Sequence, residues 1–186
     1  MKILKIVKSD VLKQDLSYFT NANLPNWLHR DGEHYRLLSY LVNKFDNTTV
    51  IDAGTYQGWS ALAMAQNPSN KVLSYDIVPL SFDFLKSYVN VELIQKDINN
   101  EDASFILNAY LIMLDVDPHD GIQEKLFIQK LIDINYTGYV LCDDIFLNDQ
   151  MTAWWKSISL PKYDLTDVGH MHGTGLICFN TVIIIE

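Results

Sequence analysis

From about Thr49 onward, short apolar runs alternate with longer stretches in which apolar and polar positions mix. The runs are 49–54 (TVIDAG), 71–77 (KVLSYDI), 91–97 (VELIQKD), 110–116 (YLIMLDV) and 138–144 (GYVLCDD). Short, nearly continuous apolar strands separated by helices predict a parallel sheet covered on both sides. The stretches between them, 58–66, 80–89, 100–108 and 121–135, read as the covering helices. After Asp144 the rhythm changes: a helix around 149–158, a strand at 162–168, a loop GHMHGTG at 169–175, then GLICFN and TVIIIE. Two late strands joined by a short loop predict an antiparallel hairpin at the sheet edge. The expectation is an α/β fold with a doubly wound, seven-stranded sheet, mostly parallel, closed by a C-terminal antiparallel hairpin.

Ahead of the first run, DGEHYRLLSYLVNKF places Tyr35, Leu38, Leu41 and Val42 on one face of a helix. Residues 1–48 therefore read as an N-terminal helical segment attached to a core at 49–186, the whole forming one domain. TNANLPNW reads as a loop, and residues 1–28 show no clear period. The lysines Lys2, Lys5, Lys8 and Lys13 read as a solvated face. The apolar TVIIIE reads as an exposed edge strand, which points to pairing with a second copy in a homodimer.

Composition narrows the partners. The 186 residues carry a net charge of −9, which disfavours a nonspecific phosphate-backbone binder and hence a nucleic-acid partner. The two cysteines, Cys142 and Cys178, sit inside apolar runs and read as buried, reduced thiols, as in a cytoplasmic protein. The opening MKILKIVKSD lacks the apolar core and cleavage site of a signal peptide, and no apolar stretch reaches ~18 residues, so no membrane contact is expected.

Chemistry gathers at the strand ends. In a doubly wound, Rossmann-like sheet, ligands sit outside the carboxyl ends of the strands near the switch point. The first strand ends in Asp52-Ala53-Gly54-Thr55-Tyr56-Gln57-Gly58, where the two glycines permit a tight turn and a close approach to a ligand, or simply connect strand to helix. A pyrophosphate-binding turn has three glycines, which counts against a nicotinamide dehydrogenase. Asp76 ends the second strand at close to the ~20-residue spacing of an acid that accepts hydrogen bonds from a ribose. Asp97 ends the third. Each alone serves equally as a helix cap, but three successive acids at one edge point to a nucleoside ligand.

IDAGTYQGWSALAMA, VLSYDI, VELIQKDI, LIMLDVD and VLCDDI resemble the catechol and caffeoyl-coenzyme A O-methyltransferases and the macrolide-sugar O-methyltransferases, within the class I S-adenosylmethionine-dependent enzymes. The resemblance runs from about Asp31 to Asp144. It implies that the turn from Asp52 through Ala53, Gly54, Thr55 and Tyr56 to Gly58, with Ser60, holds the methionine part of S-adenosylmethionine. It implies that Asp76 and Ile77 hold the ribose, that Asp97 and Ile98 lie near the adenine, and that Asp115 borders the cofactor. It further implies a magnesium ion on Asp115, Asp143 and Asp144, a donor set whose hard oxygens suit that ion; loop capping is the alternative for Asp143 and Asp144. The product would be S-adenosylhomocysteine, and the acceptor a small sugar or phenolic hydroxyl.

The chain departs from the catechol group at Pro118, where a lysine is expected three residues after Asp115. His119 is the substitute general base, or an exposed residue of a turn. His170 and His172 touch the acceptor, or belong to an exposed turn. Tyr56, Trp59, Trp154 and Trp155 line a pocket or pack in the core, and His29 and Arg30 could close over the site. A metal-independent transferase and a cofactor-binding module without turnover are the alternative functions.

Overall fold

The computed structural model describes residues 3–22, 33–78, 81–179 and 182–186. In chain order the elements are β1 (Ile3–Ile6), α1 (Lys8–Val11), α2 (Ser17–Asn21), α3 (Tyr35–Val42), β2 (Thr49–Ala53), α4 (Trp59–Met64), β3 (Lys71–Asp76), β4 (Val91–Gln95), α5 (Ala103–Leu107), β5 (Ala109–Leu114), α6 (Ile122–Asp133), β6 (Tyr139–Cys142), α7 (Asp149–Ser157), β7 (Lys162–Asp164), β8 (Gly175–Cys178) and β9 (Val182–Ile185). Seven strands form one sheet in the order β4-β3-β2-β5-β6-β8-β7. The β2, β3, β4, β5 and β6 pairings are parallel, while β8 runs antiparallel to both β6 and β7. The expected α/β architecture with its antiparallel C-terminal pair is therefore present.

Side-chain alternation along the central strands supplies both cores. Val50, Leu111, Met113, Tyr139 and Leu141 face a layer built from α3, α4 and the N-terminal segment. Their chain neighbours Ile51, Ala53, Ile112, Leu114, Val140 and Cys142 face the opposite layer, built from α5, α6 and α7. Each fully buried aliphatic side chain contributes about 1.5–3 kcal/mol.

Three expectations need correction. Within 81–89 the only helical turn is a 3-10 turn at Asp83–Leu85. Phe82, Leu85 and Tyr88 recur every three residues, the spacing of a 3-10 helix, and all three pack on the core. α3 is buried around almost its whole circumference, Leu37 and Tyr40 included, because α1 packs on it as well as α4. The segment TVIIIE does not lie at the edge of the main sheet: β9 pairs in parallel with β1, Ile3 opposite Val182 through Ile6 opposite Ile185. Of the two readings of Trp154 and Trp155, the structure shows the core one, beside α6.

Both cysteines are buried free thiols. Lys5, Lys8 and Lys13 form exposed ion pairs with Glu186, Asp167 and Asp10. Among the described residues, no helix is long and apolar enough to cross a membrane. His29 and Arg30, and most of TNANLPNW, lie outside the described residues.

Candidate active site

The sheet order reverses between β2 and β5, and a cleft of about 260 Å³ opens at their carboxyl ends. One wall is the turn after β2, with Gly54, Thr55, Tyr56, Trp59 and Ser60; the other carries Asp115, His119, Asp143, Asp144 and His170, with His34 between them.

Gly54 has φ +89°, and a Cβ there would stand 1.6 Å from the main-chain oxygen of Asp115. The glycine is thus required by the close approach of the β2 and β5 turns. At Gly58 a Cβ would meet the Phe82 ring at 2.8 Å. In both places the space beside the glycine is filled by protein.

The acid of this turn lies beneath it. Asp52 is fully buried and outside the cleft lining, where its carboxylate accepts from the hydroxyls of Thr55 and Ser74. Burial raises its pKa against the lowering effect of these hydroxyls. Ala53 is also buried and outside the lining.

Asp76 accepts from the backbone N–H of Tyr56 at 2.8 Å and of Val78 at 3.1 Å, so it ties the β3 end to the β2 turn. Ile77 beside it is exposed. Asp97 accepts from the Asn99 N–H at 2.8 Å as a cap, and Ile98 is buried. Asp76, Ile77, Asp97 and Ile98 are therefore not among the residues that line this cleft.

The second wall converges from distant segments. Asp143 and Asp144 directly follow β6. The 169–175 loop reaches them because Ile145 and Phe146 donate their backbone N–H groups to the carbonyls of Gly173 and His172. As a result His170 Nδ1 lies 3.2 Å from Asp143 Oδ2 and 3.0 Å from Asp144 Oδ1, while the more exposed His172 lies 3.7 Å from Asp144. From the opposite side His34, at the start of α3, places Nδ1 3.1 Å from the same Asp143 oxygen.

Charge pairing dominates this cluster. Burial alone lowers an imidazole pKa, but the Asp143 carboxylate overrides it and raises His34 to about 9. Burial likewise works against His170, which Asp143 and Asp144 raise to about 10. Asp143 is held well below the carboxylate range, because the two histidines outweigh its burial. Asp115 moves the opposite way, pushed up by burial and by the neighbouring Asp143 charge.

His119 faces the cleft with Nε2 3.7 Å from Asp115 and 3.8 Å from Asp144. Its Nδ1 points toward Glu124 at 3.9 Å. Glu124 is 2% exposed, and neither carboxylate oxygen has a hydrogen-bond partner. Burial raises its pKa. Tyr56, His119 and Asp144, all in the lining, have φ of 47°, 55° and 56°. Non-glycine residues in this region are strained, and such strain concentrates at functional sites.

His34 and Glu124 were not anticipated as site residues. Both carry a signal in hindsight: Glu124 falls on the helix face of Phe127, Ile128 and Leu131, and His34 on the face of Leu38. An ionisable group on an apolar stripe needs an explanation.

The implied magnesium site does not match the donors. Among the described residues, the groups whose donor atoms converge within 4.8 Å are His34–Asp143–His170, Asp144–His170–His172 and Asp115–His119–Asp144. Each includes an imidazole, and the all-oxygen set Asp115, Asp143 and Asp144 is not among them, whereas magnesium demands near-octahedral oxygen coordination.

No family model and no curated protein matches the chain. Solved structures do. A Podospora anserina methyltransferase with S-adenosylhomocysteine bound is 16% identical at a TM-score of 0.61, over 92% of this chain and 88% of that one. The O-methyltransferase TomG of Streptomyces achromogenes, from tomaymycin synthesis and solved with S-adenosylmethionine, is 13% identical at 0.57, over 92% and 90%. A candidate caffeoyl-CoA O-methyltransferase from Staphylococcus aureus is 14% identical at 0.56, over 78% and 82%. A candidate rRNA methylase from Clostridium thermocellum shares the fold as well, at 0.53 and 15% identity over 80% and 97%. The chain has the fold of S-adenosylmethionine-dependent methyltransferases.

Proposed function

We propose that this protein is an S-adenosylmethionine-dependent O-methyltransferase acting on a hydroxyl of a small polyhydroxylated acceptor, a sugar or a catechol. The observation that carries this reading is the cleft at the β2–β5 switch point, with a glycine-bearing turn on one wall and an acid–imidazole cluster on the other. The turn from Asp52 to Gly58, with Ser60, takes the methionine end of the cofactor, with Asp52 bracing it from below. Asp76 and Asp97 are kept as ribose and adenine partners, reached when the nucleoside displaces their present caps. An acidic cleft suits the cationic sulfonium, which a pyrophosphate-bearing dinucleotide is not.

The acceptor hydroxyl sits between the cofactor methyl group and His119. His119 Nε2 takes the hydroxyl proton while the oxygen attacks the methyl carbon in line and the sulfonium sulfur keeps the electron pair of the breaking bond. Glu124 behind Nδ1 and Asp115 in front hold the ring and stabilise the imidazolium that forms. His170 and His172 border the acceptor. No step is assigned to magnesium. A net charge of −9 favours a small molecule over RNA, and two buried free thiols favour a cytoplasmic location.

The test is formation of S-adenosylhomocysteine from S-adenosylmethionine with a panel of catechols and simple sugars, in the wild type and in His119→Ala. Turnover with at least one acceptor, lost by about 100-fold or more in the variant, supports the reading. Full turnover in His119→Ala removes His119 as the base.

A further inference from the structure

We infer that His34, Asp143 and His170 form a site for a divalent transition-metal ion of the zinc, cobalt or nickel type. The site lies in the cleft of the proposed transferase but does not require methyl transfer.

The geometry comes first. Asp143 Oδ2 stands 3.1 Å from His34 Nδ1 and 3.2 Å from His170 Nδ1, and Asp144 Oδ1 lies 3.0 Å from the same His170 nitrogen. Two donors bound to one zinc ion at ~2.1 Å are about 3.0 Å apart at a right angle and about 3.4 Å apart at the tetrahedral angle. The observed separations have the length of the edges of such a polyhedron.

Burial adds a second observation. His34 is 3% exposed, and neither of its ring nitrogens has a hydrogen-bond partner. His170 Nδ1 and Asp144 Oδ1 are also buried and unpartnered. Polar atoms buried this deeply normally find partners, so several left unsatisfied around one point mark a place for a missing ligand. An ion among them would satisfy His34 Nδ1 and His170 Nδ1 together.

The chemistry of the donors sets the class of ion. Two imidazoles and carboxylate oxygens suit zinc, cobalt or nickel, while magnesium prefers oxygen and water. The ligands come from three separate places: the start of α3, the end of β6 and the 169–175 loop. Binding therefore ties the N-terminal segment to the C-terminal half of the chain, and the ion stabilises the fold.

The experiment titrates the metal-free full chain with Zn²⁺, Co²⁺, Ni²⁺ and Mg²⁺ by calorimetry, and records the visible d–d spectrum of the Co²⁺ form and the melting temperature with each ion. His34→Gln and His170→Gln are measured in parallel. The expected result is micromolar or tighter binding of one transition ion per chain, a melting temperature raised by several degrees, and negligible binding of Mg²⁺. Each variant should lose about 100-fold or more in affinity, together with the Co²⁺ band of the wild type.

Three results overturn the inference: magnesium binding as tight as zinc, transition-metal affinity unchanged in both variants, or no binding by the wild type. The last would leave the two histidines as imidazolium partners of Asp143. Because the wild-type selectivity and the Co²⁺ spectrum need no variant, misfolding of a substitution does not rescue the proposal. S-adenosylhomocysteine titrated into the same metal-free protein separates failure of the ion site from failure of the transferase reading.

Discussion

Replacing Gly54 by alanine puts the tightest point of the fold under direct test. Gly54 sits at φ +89°, in the left-handed region, which costs an alanine about 1–2 kcal/mol. The added Cβ would also lie 1.6 Å from the Asp115 carbonyl oxygen, a main-chain atom that no rotamer change can move. Ordinary contact requires the β2 and β5 turns to separate by more than an ångström. Overpacking of this kind adds about 1–3 kcal/mol, for a total near 2–5 kcal/mol. Gly58→Ala is the control: its φ of +81° carries similar strain, but the new Cβ meets the Phe82 ring, which can shift. Its expected cost is about 1–2 kcal/mol. Urea unfolding followed by circular dichroism measures both. Gly54→Ala should also lose S-adenosylhomocysteine affinity, because the displaced strand end carries Asp115 with it. Equal stability of the two variants, or a Gly54→Ala protein that binds as the wild type does, would refute the claim that the switch point is built on this contact.

Further outcomes are expected. Glu124→Gln should lower kcat by about 10-fold or more with little change in KM, because Glu124 positions His119 and does not touch substrate; an unchanged kcat removes that role. The same variant should gain stability relative to wild type as pH rises from 4.5 through the raised pKa of Glu124, since in that window the native state holds more protons than the unfolded chain and the wild type loses stability, an advantage read from urea midpoints against pH. The Cys178 thiol is pushed by burial to about 12, and Cys142 is also raised well above its usual value. Neither should react with a disulfide reagent at pH 8 in the native protein, while both react in denaturant; prompt native labelling would contradict the packing. Phe127→Ala removes a fully buried ring from the face of α6 and should cost about 3–5 kcal/mol in urea unfolding.

The sheet could be read from the sequence because its central strands are apolar on both faces. Runs such as LIML and YVLC leave no wet side, and that forces a covered parallel sheet. The acids Asp115, Asp143 and Asp144 were legible for a related reason: each ends such a run, where the chain leaves the core. The β1–β9 pairing was not, since two four-residue strands from opposite ends of the chain carry no shared turn or register signal. Region 81–89 was read as a covering helix, but its regular structure is limited to the 3-10 turn at Asp83–Leu85. At the site, His119, His170 and His172 stood out as polar residues in glycine-flanked loops. His34 and Glu124 were hidden on helix faces, where the surrounding apolar residues made them look like part of a packing stripe. Asp76 and Asp97 each accept backbone N–H groups at a strand end, a role that looks the same in sequence as holding a nucleoside.

The central claim is that the cleft at the β2–β5 switch point takes S-adenosylmethionine. Calorimetric titration of the full chain with S-adenosylhomocysteine, with NADH as control, tests it most directly. The account predicts micromolar binding of one S-adenosylhomocysteine per chain and no heat with NADH. No binding of S-adenosylhomocysteine, or binding of NADH in its place, would contradict it.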